Sequence, residues 1–111
     1  MVAASTGDCE MKLVRDGIPQ IIEDDGRTCK WRRVLGEGEH IAKLAAKMRE
    51  EVGEFVDNPC YEEAADMIEV VKAFCFLNDL EWEAVLSTAT HKEETHGGFH
   101  AGIVLLEVDP R

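Results

Sequence analysis

Cationic side chains are scarce in this sequence: 12 Lys and Arg stand against 23 Asp and Glu, a formal net charge of −11 over 111 residues. A surface of that sign repels a phosphate backbone and argues against nucleic acid as a partner. It argues equally against an anionic membrane surface. Long hydrophobic runs are lacking too; no stretch approaches the roughly 18 apolar residues that a spanning helix needs. Residues 1–10 have neither a basic nor an apolar region, so no secretory signal is expected. Cysteine is limited to Cys9, Cys29, Cys60 and Cys75, with no C-x-x-C pair. Nothing else suggests secretion, so reduced thiols and a cytoplasmic location are expected. No aromatic pair declares a base-stacking pocket, although Trp31, Trp82 and Phe99 are candidates.

What is present reads as globular: 45% hydrophobic and 32% charged residues exclude disordered and collagen-like classes. Residues 1–10, small and polar, read as a loose arm, and the length predicts one compact domain over residues 11–111. A domain of this size buries roughly two thirds of the surface its unfolded chain exposes.

The pattern is mainly helical. Pro19 suits the first turn of a short helix over residues 19–23, which Asp24-Asp25-Gly26 stops. A long helix is expected over about residues 38–56, where Ile41, Leu44, Ala45, Met48, Val52, Phe55 and Val56 share one face. Asn58 and Pro59 then cap and open a second helix that runs to about Leu77. In it Ala64, Ala65, Met67, Ile68, Val71, Phe74 and Cys75 form a broad apolar arc, wide enough to suggest a homodimer or homotetramer interface. A third helix is expected over residues 81–95, closed by Gly97-Gly98. The segments 29–35 and 103–108 read as strands of a small two-stranded β ribbon.

The acidic residues are concentrated where two helices meet. Glu50, Glu51 and Glu54 end the first long helix, and Glu62, Glu63 and Asp66 begin the next. Pivoted on Asn58, a helical hairpin sets Glu54 opposite Glu63 and Glu51 opposite Asp66. Within each helix these acids are spaced i, i+3 and share a face. An ordinary solvated acidic face is the alternative, since exposed like-charge pairs cost only a few tenths of a kcal/mol. Gathered in a cleft at about 5 Å, each pair repels by roughly 3 kcal/mol at an effective dielectric near 20. Such a cluster calls for protons or a divalent cation, and Mg²⁺ prefers carboxylate and phosphate oxygens.

Weaker patterns point elsewhere. Glu37-x-x-His40 and Glu93-x-x-His96 have the di-iron spacing, but both histidines sit at helix ends. His91, His96 and His100 lack a nearby cysteine, and Gly97-Gly98 breaks their helical spacing, so surface histidines are expected.

Glu50-Glu51-Val52-Gly53-Glu54 followed by Glu63-Ala64-Ala65-Asp66 resembles the E-E-x-x-E … E-x-x-D motif of the all-α nucleoside triphosphate pyrophosphohydrolases, MazG-like and phosphoribosyl-ATP pyrophosphohydrolase-like. Lys12-Leu13-Val14-Arg15-Asp16 with Ile18-Pro19 is similar to the opening of one MazG-like branch, and Gly97-Gly98-Phe99 to its closing segment. The gap between the acidic blocks is shorter than in many relatives, and His96 stands where the branch usually has Arg. The resemblance implies an all-α bundle and cleavage of a nucleotide between its α- and β-phosphates with Mg²⁺, or Mn²⁺, as cofactor. Glu51, Glu54, Glu63 and Asp66 would then be metal ligands. Glu50 or Glu54 would position the attacking water, and Lys12, Arg15, Asp16 and Lys92 would bind substrate. The expected function is nucleotide pyrophosphohydrolase. A phosphoribosyl-ATP pyrophosphohydrolase and a non-catalytic acidic helical module are the alternatives.

Overall fold

The computed structural model describes residues 12–110. The expected arm over residues 1–10, with Cys9, lies outside the described residues. Four helices follow in order: α1 Ile18–Asp24, α2 Glu37–Asp57, α3 Tyr61–Leu77 and α4 Trp82–His96. The mainly α class holds. The chain divides into two compact units, Met1–Asp79 with α1 to α3 and Leu80–Arg111 with α4.

In the first unit α2 packs on α3. The residues 58–60 between them form the bend. On either side of Pro59, Asn58 lies outside the α region, with φ −144° and ψ 77°, and Cys60 is extended, with φ −156°. The residue before a proline is pushed out of the α region, and this stops α2. Helix α3 therefore starts at Tyr61 with Cys60 at its N-cap, two residues later than the expected start at Pro59. Asn58 ends α2 as its C-cap instead of capping α3, its backbone N–H donating to Glu54 O. Neither long helix has a side-chain N-cap, but both carry acids in the first turn, Glu37 and Glu39 in α2, Glu62 and Glu63 in α3. Their charge complements the helix dipole.

The interior is small. Among the described residues the buried apolar side chains are Leu44 on α2 and Cys75 on α3, and Glu51 is buried with them. Of the expected α3 arc, Cys75 is buried, Ala64, Met67, Val71 and Phe74 are half-buried, and Ala65 and Ile68 are exposed. On α2, Val52 and Val56 point to solvent. Cys29, Cys60 and Cys75 are free thiols.

The β ribbon does not appear: among the described residues there is no strand. In the segment 29–35 the polar groups are taken up by the start of α2. Arg32 donates two hydrogen bonds to the Glu39 carboxylate, at 3.0 and 2.8 Å, and the Leu35 N–H donates to the same carboxylate at 2.7 Å. In the segment 103–108 the large apolar side chains are at least 70% exposed, so packing does not reward an extended ladder.

The second unit holds α4, which spans one residue later than expected at each end. Gly97 closes it with φ +85°, a backbone conformation that favours glycine, and donates its N–H to Glu93 O at 2.8 Å. No helix among the described residues is long and apolar enough to cross a membrane.

Candidate metal centre

The hairpin brings its acids together. Carboxylate oxygens of Glu50, Glu51 and Glu54 lie within 4.8 Å of one another, and so do those of Glu51, Glu63 and Asp66. Glu51 belongs to both groups and links the acids of α2 to those of α3. The i, i+3 spacing on each helix and the short bend produce this meeting, as the arithmetic of helical rise predicts. Glu62, one residue from Glu63, is exposed and belongs to neither group.

Burial makes the arrangement unusual. Glu51 is 5% exposed. Its Oε1 and the Oε1 of Glu63 are buried and accept no hydrogen bond. A carboxylate taken out of water without full pairing is costly. The neighbours respond in their proton affinities. Desolvation, together with the charges of Glu51 and Glu50, raises the Glu54 carboxyl above the usual range. Desolvation and the charges of Glu54 and Asp66 raise Glu63 as well.

Three cations offset part of this charge. Lys12 Nζ lies 3.0 Å from Glu50, and Lys47 Nζ lies 3.6 Å from both Glu50 and Glu51. Arg15 donates a short hydrogen bond to Asp66 Oδ1, a contact between residues far apart in sequence. At Glu50 desolvation works upward, but the hydrogen bond from Lys12 and the charge of Lys47 outweigh it and hold that carboxyl below the usual range. Lys47 is the participant that motif reading passed over. Its signal was present in the sequence, since it stands three and four residues before Glu50 and Glu51 on one helix face.

The remaining expected site residues are placed differently. Asp16 is exposed in the turn before α1. Lys92 lies exposed on α4, in the second unit. Trp31 is 57% exposed with the Arg33 guanidinium 5.6 Å from its ring centroid, and Phe99 is almost fully exposed. The histidines named for iron or zinc do not join a cluster; among the described residues the two acid groups alone gather three such side chains.

In its donor set the centre is all carboxylate, which suits hard cations such as Mg²⁺ or Mn²⁺. Comparison with protein-family models, with curated proteins and with solved structures gives no match.

Proposed function

We propose that this chain is a Mg²⁺-dependent nucleotide pyrophosphohydrolase, which splits a nucleotide between its α- and β-phosphates to a monophosphate and pyrophosphate. The observation that carries the reading is the buried Glu51 carboxylate, common to both acid groups and with one oxygen unpartnered. Folding has removed a negative charge from water and left room in its bonding for a cation. The sequence supports the same reading through the resemblance of its acidic blocks and its Lys12-to-Pro19 opening to the MazG-like enzymes.

Glu51, Glu54, Glu63 and Asp66 would hold the metal, and Mn²⁺ could stand in for Mg²⁺. A bound divalent ion supplies neutralisation of phosphate charge and acidifies a water molecule. The chain's own residues supply the rest. Glu50 or Glu54 would position the attacking water. Arg15 and Lys12 stand beside the acids, where a cation is needed to hold a polyphosphate near so many negative charges. Asp16, in the turn before α1, would join these substrate contacts.

The working form in this reading is a homodimer or homotetramer. Copies would cover the apolar arc of α3 and complete the bundle. The deciding experiment is incubation with mixed nucleoside triphosphates and Mg²⁺, followed by measurement of pyrophosphate. Release that disappears in Glu51→Gln supports the enzyme. Absence of release with metal binding retained leaves the acidic binding module.

A further inference from the structure

The cations on the acidic centre are of two kinds. Lys47 belongs to α2 itself and sits beside Glu50 and Glu51 by helical spacing. Lys12 and Arg15 come from the irregular segment before α1, and Arg15 bridges to α3 while Lys12 bridges to α2. The segment turns directly into α1. Ile18 N–H donates to Arg15 O at 3.1 Å, and Leu13, Ile18 and Pro19 are half-buried. The Arg15 side chain is 55% exposed, so it has open solvent to turn into. Its planar fork of donors fits carboxylate and phosphate equally well.

We propose that Arg15, seconded by Lys12, is an exchangeable counter-ion. It holds Asp66 while the centre is metal-free, yields Asp66 when a divalent cation binds, and is thereby delivered to an anionic oxygen of the substrate. The proposal rests on the metal-centre reading above and adds to it an order of binding, metal before nucleotide. Asp66 cannot offer the same oxygen to Arg15 and to a metal, so Arg15 competes with the cation it makes way for.

The test uses Mn²⁺ alone as probe, titrated into the full chain and followed by calorimetry or by the spin-resonance signal of free Mn²⁺. Arg15→Gln should tighten Mn²⁺ binding by about threefold, the yield of opening one exposed pair. Lys12→Gln should act in the same direction, which provides a second variant if the first loses helix content. Arg32→Gln is the control. It makes the same change of net charge and breaks a pair in the same unit, but at Glu39, away from the centre. A non-hydrolysable imidotriphosphate added with Mn²⁺ should bind Arg15→Gln at least tenfold more weakly than wild type. Mn²⁺ binding that is equal in Arg15→Gln and Arg32→Gln, or weaker in Arg15→Gln, overturns the exchange and leaves the metal centre standing. A wild-type chain that takes no Mn²⁺ at millimolar concentration removes the metal centre, and the exchange with it.

Discussion

At the scale of single residues, Glu51 and Asp66 face opposite consequences of the same charge. Glu51 is buried with an unpartnered oxygen, so Glu51→Gln removes a desolvated charge. The metal-free protein should gain about 1 kcal/mol of stability, and Mn²⁺ should no longer raise its melting temperature. Chemical denaturation with and without metal measures both effects; a variant that Mn²⁺ still stabilises would contradict the assignment. Asp66 is more open, and its pair with Arg15 is of the exposed kind that contributes about 1 kcal/mol or less. Asp66→Asn should therefore leave the fold almost unchanged and lower turnover at least about a hundredfold, roughly 2.7 kcal/mol of barrier. Glu62→Gln lies outside both acid groups and should do far less. Steady-state pyrophosphate release ranks the two. Equal damage would mean that the wrong face of α3 carries the chemistry.

At the scale of elements, the α2–α3 hairpin holds charge that acid should relieve. Glu54 and Glu63 have raised proton affinities in the folded chain, so the folded state binds protons ahead of the unfolded one. Stability then increases as pH falls toward the carboxylate range and is lost as pH rises through the folded values. The opposite groups do not interfere in that window. Glu50 and Glu39 are lowered, Glu39 to about 2 by the hydrogen bonds from Arg32 and the Leu35 N–H. Their contributions are complete above the ordinary carboxylate range and disappear only on stronger acidification. With chelator present, the melting temperature should rise from pH 7 to pH 5, and saturating Mg²⁺ should flatten the profile. A metal-free melting temperature that falls over this interval would defeat the idea. Much of this hairpin is legible in the sequence. The apolar period over residues 38–56 and the spacing of Glu51, Glu54, Glu63 and Asp66 are local and regular, and helix geometry converts them directly into position. The bend is less legible, because Pro59 was expected to open α3 and instead restricts the residue before it. Lys47 was hidden among ordinary surface lysines. The pairs of Lys12 with Glu50 and Arg15 with Asp66 depend on tertiary folding that no periodicity encodes. The strand expectations failed for a related reason. The β-forming composition of residues 29–35 was set against Arg32 and Leu35 bonding to Glu39, and these bonds prevailed.

At the scale of the whole molecule, the interior is too small for the apolar content. Leu44 and Cys75 are the buried apolar side chains among the described residues, while Ile68, Val56, Phe76 and Leu80 are among those more than half exposed. Burial of such side chains is worth about 1.5–3 kcal/mol each when complete, a large reserve in a protein whose net stability is of order 10 kcal/mol. Association of identical chains, most often with two-fold symmetry, is the common way to realise it. Sedimentation at micromolar concentration should give a mass at least double the 12.4 kDa of one chain, and Ile68→Glu should shift it toward one chain. A wild-type mass of one chain would refute this. The exposed run Ile103-Val104-Leu105-Leu106 has a bearing on handling and on cellular quality control. It is uncharged, strongly β-forming and free of proline, the composition from which cross-β fibres nucleate. Glu107, Asp109 and Pro110 follow it as gatekeepers of one flank alone, since Gly102 and Ala101 on the other side offer no charge. Such a chain should therefore be lost to turbidity and fibre formation before it unfolds, and light scattering on warming should rise ahead of any change in helix signal.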